Sequence, residues 1–407
     1  MQDSSKAASA PRFVRLVLLG LVCALPVAAS FLDLAQVVRD GVGGVDGLDG
    51  VSSVAVSPDG INVYAVANVD QSIAAFRRDV TADALVFLEA LKDDQGGVFG
   101  LLGASDVAVS PDGAYVFVTA AVDDTLLAFR RDVTQESLSL ETVLADNVGG
   151  VFGLDGATSV AVAPDGGHVF VASAIDDALT VFARDASTDD LTLVDFEQAG
   201  GLVEGPSSVA VRGDGERLFV ASRDAGWISI FSRDPTIDDI VYDLSFRRPS
   251  TQGASDLALS GDAQRLYVTS AETDTLTVFR AITQPPFWAF DQLFTDGQDG
   301  VDGLDGASAV ALSPSGGLLF VAGSIDDGVA IFRVLPDGLE YVQTVLDGVD
   351  GVDGLDGALA LAVSPDALHV YVAGSEDDAI TGLRLLEILF FDDFESGGLG
   401  AWSATIP

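Results

Sequence analysis

A unit of about fifty residues that recurs seven times is the feature that most constrains how this chain can fold. SSVAVSPDGINVYAVANVDQSIAAFRRD at 52–79 and SDVAVSPDGAYVFVTAAVDDTLLAFRRD at 105–132 show the pattern. From one unit to the next, the turn position advances by 48 to 53 residues. A period of this length indicates one repeat architecture rather than several unrelated domains. The other five units occupy 158–185, 207–234, 255–282, 308–335 and 359–386.

The pattern inside each unit is typical of antiparallel β-strands. Three runs rich in Val, Ala, Phe and Tyr, which we label strands A, B and C, are separated by an S-P-D-G turn and an Asp-containing loop. A more amphipathic run, strand D, follows six of the units, as in LVFLEAL at 85–91. The sequence therefore predicts an all-β, seven-bladed β-propeller of four-stranded antiparallel blades.

The seventh unit has no strand D of its own, and an N-terminal segment can supply it. FLDLAQVV at 31–38 resembles LEYVQTV at 339–345 and lies at the same distance before a copy of GVDGLDG. We predict that this segment pairs with strand C of the last blade and closes the ring, leaving no long exposed sheet edge. The Phe that ends strand C in six units, and Leu383 in the seventh, are predicted to pack between blades.

The chain divides into three segments. Lys6, Arg12 and Arg15 precede an apolar run and the small residues before position 30, so residues 1–29 are predicted to be a secretory signal peptide. The apolar run is too short for a membrane span. The propeller is predicted to cover 30–391 and a C-terminal tail 392–407. We therefore expect export to the periplasm or the medium, and a mature chain without cysteine, because the only cysteine is Cys23.

The charge of the chain limits its partners. Without residues 1–29, 17 basic and 61 acidic side chains remain, a net charge of −44. Such a surface repels nucleic acids and anionic membranes and attracts cations. We expect a monomer whose partner is an unidentified protein or carbohydrate.

The heptapeptide GVDGLDG occurs at 44–50, 300–306 and 351–357, in the connection from strand D to strand A. Two interpretations remain open. Gly and Asp supply the conformations that a tight connection needs. Alternatively, the aspartates bind calcium. They are three residues apart with backbone carbonyls between them, and such oxygens are the hard ligands that calcium prefers. We predict that no cofactor is required. The candidate ligands are Asp46, Asp49, Asp302, Asp305, Asp353 and Asp356.

Other candidate residues are few. Arg223 and Trp227, in the B-to-C loop of the fourth unit, form a candidate platform for a sugar or aromatic ligand. His168 and His369 occupy a variable position at the start of strand B and are predicted to lie on a blade surface. The repeated F-x-R-D ends are predicted to form solvated ion pairs. Because the VAV-like triplets of the inner strands offer no acid, base or nucleophile, we predict no catalytic residues.

The pattern S-x-A-V-S-P-D-G-x-x-V-Y-V-A followed by D-D-x-L-x-V-F resembles the blade repeat of the lactonase-type seven-bladed propellers, a group that includes 6-phosphogluconolactonase-like and YVTN proteins. The resemblance covers about residues 31–391 and implies the fold. It also implies the alternative function, lactone hydrolysis. The residues themselves favour a non-enzymatic binding or scaffold protein with an acidic loop face.

Overall fold

The computed structural model describes residues 31–386 except 186–187, 199, 235–238 and 286. Its strands form seven four-stranded antiparallel sheets, which confirms the predicted seven-bladed propeller. The first blade contains β2 (Val51–Val56), β3 (Asn62–Ala67), β4 (Ser72–Asp79) and β5 (Ala84–Lys92). These are strands A to D of the first repeat, and the inner strands A of neighbouring blades adjoin one another around the ring.

The next five blades repeat this order. Blade two contains β6 (Ala104–Val109), β7 (Tyr115–Ala120), β8 (Thr125–Asp132) and β9 (Ser137–Ala145). Blade three contains β10 (Ala157–Val162), β11 (His168–Ser173), β12 (Ala178–Arg184) and β13 (Leu191–Glu197). Blade four contains β14 (Pro206–Val211), β15 (Arg217–Ser222), β16 (Trp227–Asp234) and β17 (Asp239–Arg247). A 3₁₀ turn (Pro249–Thr251) then leads to blade five, with β18 (Ala254–Leu259), β19 (Arg265–Ser270), β20 (Thr275–Ala281) and β21 (Trp288–Thr295). Blade six contains β22 (Ala307–Leu312), β23 (Leu318–Gly323), β24 (Gly328–Leu335) and β25 (Gly338–Leu346).

Blade seven joins strands from both ends of the described chain. It contains β26 (Ala358–Val363), β27 (His369–Gly374) and β28 (Ala379–Leu385), with β1 (Leu32–Arg39) as its outer strand. β1 runs antiparallel to β28, from the pair Leu32–Leu385 to the pair Arg39–Ala379. The predicted closure by the N-terminal strand is therefore confirmed. The predicted signal peptide and C-terminal tail lie outside the described residues.

The hydrophobic core lies between the blades. Strand B is buried along its whole length in blade one because both faces of the sheet pack against neighbouring blades. Strand D is only partly buried because it forms the outer edge. One core cluster joins Val54 and Phe76 of blade one to Tyr371 and Ala373 of blade seven. The predicted burial of the Phe at the end of strand C is confirmed.

The arginines at the end of strand C correct the prediction of solvated ion pairs. In four blades, the arginine two residues after the buried Phe is itself buried, because residues two apart in a strand point to the same face. Each reaches the A-to-B turn of the preceding blade, and we call this contact the arginine clip. The four clips are Arg78–Asp366 (3.1 Å), Arg131–Asp59 (2.8 Å), Arg184–Asp112 (3.0 Å) and Arg233–Asp165 (3.9 Å).

The two histidines also differ from their predicted position on a blade surface. His168 and His369 are buried beside clip arginines of the following blade. Nδ1 of His168 lies 2.5 Å from the Arg233 guanidinium, and Nδ1 of His369 lies 3.2 Å from that of Arg78. Because arginine only donates hydrogen bonds, the ring nitrogens accept them. Burial and the charge of Arg78 lower the pKa of His369. Both imidazoles are therefore part of the contact between blades.

Within the described residues, no helix combines the length and apolar composition that crossing a membrane would require.

Candidate functional site

The acidic face of the propeller consists of the D-to-A connections and the B-to-C loops, which lie side by side as the topology predicts. In blade one, the Asp40 carboxylate accepts a hydrogen bond from Leu48 N (3.1 Å). The Asp70 carboxylate accepts one from Asp49 N (3.3 Å), which ties the B-to-C loop to the connection. Asp378 of blade seven accepts one from Gly50 N (2.9 Å), which ties the two blades together. Many aspartates of this face thus organise its loops.

In three blades the connection and the loop also form a compact group of carboxylates, which we call a three-Asp cluster. In each cluster, one oxygen from each residue lies within 4.8 Å of the other two. Two aspartates come from the D-to-A connection, six residues apart, and the third comes from the B-to-C loop. The clusters are Asp40, Asp46 and Asp70 in blade one, Asp296, Asp302 and Asp326 in blade six, and Asp347, Asp353 and Asp377 in blade seven.

Two of the three clusters contain a cation from the chain itself. In blade one, the Lys92 ammonium lies 2.7 Å from both Asp46 and Asp70. In blade seven, the Arg39 guanidinium lies 2.8 Å from Asp353 and 3.0 Å from Asp377. Lys92 and Arg39 are the last residues of strand D in their blades. Their positive charges offset the repulsion among the carboxylates.

The blade six cluster lacks such a partner. In the sheet register, Lys92 pairs with Ser72 and Arg39 with Ala379, whereas the corresponding pair of blade six is Leu346 and Gly328. An aliphatic side chain thus occurs where the other two blades carry a cation. Across the described part of the chain, no lysine or arginine forms an ion pair with Asp296, Asp302 or Asp326.

The pKa values follow this difference. Partial burial and the nearby carboxylates of Asp296 and Asp302 raise the pKa of Asp326 to about 6. By contrast, hydrogen bonding from Arg39 lowers the pKa of Asp353. The blade six cluster is therefore a concentration of negative charge that the described chain leaves without a counter-ion.

The six aspartates proposed from the sequence separate into two groups. The first aspartate of each heptapeptide, Asp46, Asp302 or Asp353, lies in a three-Asp cluster. The second aspartate lies near a carboxylate of the preceding blade: Asp49 near Asp378, Asp305 near Asp274 and Asp356 near Asp327.

Of the nine cluster aspartates, the sequence proposed only the first of each heptapeptide as a ligand, and the six that it missed include Asp40, Asp296 and Asp347. The signal that could have found these three is an aspartate placed six residues before the first aspartate of each heptapeptide.

The central channel is a second candidate site, and it corrects the expectation of an inner wall without acids. Asp106 and Asp256 immediately precede the apolar triplets of their inner strands and line a cavity of about 630 Å³. Nine hydroxyl side chains at the same strand position or the one before it also line the cavity: Ser52, Ser53, Ser105, Thr158, Ser159, Ser207, Ser208, Ser255 and Ser308. The channel therefore offers both carboxylates and hydroxyls to a ligand.

Each channel aspartate also connects three blades. Asp106 accepts hydrogen bonds from the Ser53 hydroxyl (2.8 Å) and Val160 N (2.9 Å), which belong to the blades on either side. Asp256 accepts them from the Ser208 hydroxyl (2.7 Å) and Val310 N (2.9 Å).

Burial raises the pKa of both carboxyl groups, that of Asp256 to about 6. The charge of Asp106 adds to the shift at Asp256. A carboxyl group with such a pKa exchanges a proton near neutral pH, so it can act as an acid or a base.

Arg223 and Trp227 lie at different places on this face. Arg223 lines the channel. Trp227 begins β16, and the guanidinium that lies over its ring, at 4.5 Å, belongs to Arg247 on the paired strand. A guanidinium does lie over the Trp227 ring, as predicted, but it belongs to Arg247 and not to Arg223.

The family model described as lactonase, 7-bladed beta-propeller matches residues 142–241. The chain is similar to the lactonase-type propellers. This match and the observed fold confirm the resemblance seen in the repeats. Among curated proteins, no sequence matches the chain.

Solved structures with the same fold include proteins of different names. A chain of Kuenenia stuttgartiensis hydrazine synthase is 17% identical, with a TM-score of 0.63 over 85% of this chain and 99% of that one. A candidate 6-phosphogluconolactonase of Bacteroides uniformis is 18% identical, with a TM-score of 0.60 over 72% and 84%. A functionally unknown protein of Desulfotomaculum acetoxidans is 16% identical, with a TM-score of 0.59 over 81% and 92%. At these identities the likeness concerns the fold alone.

Proposed function

We propose that this protein is an exported propeller that acts by binding, and that its acidic face holds a calcium ion at Asp296, Asp302 and Asp326 of blade six. One observation carries the proposal: Leu346 stands where Lys92 and Arg39 neutralise the other two clusters. The fold provides the scaffold for a protein or carbohydrate partner. Export rests on the signal-like sequence of residues 1–29.

The donor atoms of blade six fit calcium. Calcium takes six to eight oxygen ligands at about 2.3–2.6 Å, so oxygens on opposite sides of the ion are about 5 Å apart. The three carboxylates, within 4.8 Å of one another, meet this requirement. The site is partly exposed, so water can complete the coordination. Sulfur and nitrogen donors, which softer metals prefer, do not occur in the cluster.

Calorimetric titration of calcium into EDTA-treated protein tests this proposal, with the melting temperature recorded alongside. We expect saturable binding that Asp302→Asn abolishes. Leu346→Lys should also abolish it, because the new ammonium would take the place that Lys92 has in blade one. Asp46→Asn is the matched control, because Asp46 already pairs with Lys92. Binding that survives both Asp302→Asn and Leu346→Lys would refute the site.

Lactone hydrolysis is the second candidate function, favoured by the family match and by the acidic channel. Asp256, with a pKa near 6, would serve as the proton acceptor for the attacking water. Purified protein should then hydrolyse 6-phosphogluconolactone, and Asp256→Ser should abolish the activity. Serine occupies this position in blades one, three and four, so the variant is compatible with the fold. Wild-type protein without lactonase activity would exclude this candidate.

A further inference from the structure

The arginine clip is missing at three of the seven blade junctions. Ala281, Val334 and Leu385 occur at its position in blades five, six and seven. In blade seven, Leu385 packs with Leu318 against the apolar core, so the space is filled. The other two junctions have clefts at this position, of about 420 Å³ beside Ala281 and about 410 Å³ beside Val334.

The cleft between blades five and six keeps the acceptors of a clip. Between blades one and two, the Arg131 guanidinium donates to the Asp59 carboxylate (2.8 Å) and to the Gly113 carbonyl (3.1 Å). The groups at the same repeat positions in this junction are Asp262 and Gly316, and both line the cleft. Arg78 uses the same pair of acceptors, Asp366 and Gly60. The junction therefore has a frame that receives a guanidinium elsewhere in the molecule.

Arg265 also lines this cleft, but its hydrogen bonds go to other acceptors. Arg265 donates to the carbonyls of Leu335 (2.8 Å) and Pro336 (2.7 Å), and its Nε lies 3.9 Å from Asp291. Among the described residues, Asp262 forms no ion pair, and its carboxylate accepts hydrogen bonds only from Ser260 and Gln264. Hydrogen bonding lowers the pKa of Asp262, so it is ionised at neutral pH. The charge of Arg265 acts on Asp262 from beyond ion-pair distance, so the carboxylate can still receive a cation at close range.

We propose that the cleft between blades five and six binds a guanidinium group from outside the chain, namely an arginine side chain of a partner protein. The planar guanidinium donates hydrogen bonds in two directions at once, which matches a carboxylate on one wall and a carbonyl on the other. The cleft is larger than the guanidinium alone and has room for the aliphatic part of the side chain. The net charge of −42 attracts basic partners to this surface.

Binding of the peptide acetyl-Gly-Arg-Gly-amide, measured by NMR or calorimetry at physiological salt, tests the proposal. We expect saturable binding, with the corresponding lysine peptide about tenfold weaker because a point charge does not make the paired contact. Val334→Arg should abolish binding and raise the melting temperature, since blade six would acquire its own clip. Asp262→Asn should weaken binding, whereas Asp94→Asn, which removes one exposed charge elsewhere, should not.

A second experiment measures the binding of methylguanidinium and its competition with the peptide. If it binds and competes with the peptide, the site recognises the group itself. If only the peptide binds, and Val334→Arg abolishes it, the site is specific to an arginine side chain in a polypeptide. A wild-type protein that binds neither probe, or a folded Val334→Arg variant that binds as well as the wild type, would overturn the proposal. Calcium binding on the opposite face would be unaffected by either result.

Discussion

Replacing one clip arginine tests whether these buried contacts hold the ring together. The Arg131 side chain is 2% exposed and donates to Asp59, Asn62 and the Gly113 carbonyl. Arg131→Ala would remove these hydrogen bonds, although Asp59 would keep those from the Ser57 hydroxyl and Ile61 N. Breaking a buried ion pair costs about 3–5 kcal/mol, but Asp59 keeps 38% of its exposure and water would recover part of the loss. We therefore expect a loss of about 2–4 kcal/mol in unfolding free energy.

The neighbouring residue provides a matched control. Arg130 is on the opposite face of the same strand, is 57% exposed and contacts Tyr115 and Asp189. Arg130→Ala should cost little stability, because exposed ion pairs are screened by water. With an unfolding entropy of about 2.1 cal/mol/K per residue, the melting temperature should fall by roughly 3–5 °C in Arg131→Ala and by little more than about 1 °C in the control. Equal decreases, measured by calorimetry, would show that the clips contribute no more than surface pairs.

Two further predictions concern the channel and the ring closure. Because the folded pKa of Asp256 is raised to about 6, its charged form opposes folding, and stability should increase as the pH falls from 7 towards 5. Asp256→Ser should reduce this increase, by about 1.3 kcal/mol over that range, in melting curves recorded between these pH values; an unchanged pH profile would contradict the assignment. Deleting residues 31–38, which include most of β1, should lower the melting temperature more than deleting residues 393–407, because β28 would lose its partner strand. Equal melting temperatures of the two truncated proteins would contradict this role of β1.

The sequence predicted the blades and their closure because both depend on local patterns. Alternating apolar residues and Gly-rich turns define the strands, and the similarity of 31–38 to 339–345 was enough to place β1. The burial of Arg78 beside the partly exposed Arg77 depends on the same alternation. Arg78 shares a strand face with Phe76, so this contact could have been predicted from the sequence. The prediction placed both arginines in solvated ion pairs and therefore missed the contact of Arg78 with the preceding blade.

The candidate sites depend on contacts between loops that are distant in sequence. Asp296 and Asp326 are thirty positions apart, and only the folded blade brings them to Asp302. The absence of a cation from this cluster becomes informative only when Leu346 is seen at the register position of Lys92. The channel position of Asp106 and Asp256 likewise depends on the ring, since seven inner strands together form the wall.

The pairing of β1 with β28 has a consequence for how the chain folds as it is synthesised. β1 is made early, but its partner at Ala379–Leu385 is made more than three hundred residues later. Blades one to six each contain four consecutive strands and can form as soon as they are complete, whereas blade seven has to wait. During this interval β1 exposes an unpaired strand edge. The pairing of β1 with β28, which closes the ring, is therefore expected to be the last step of folding.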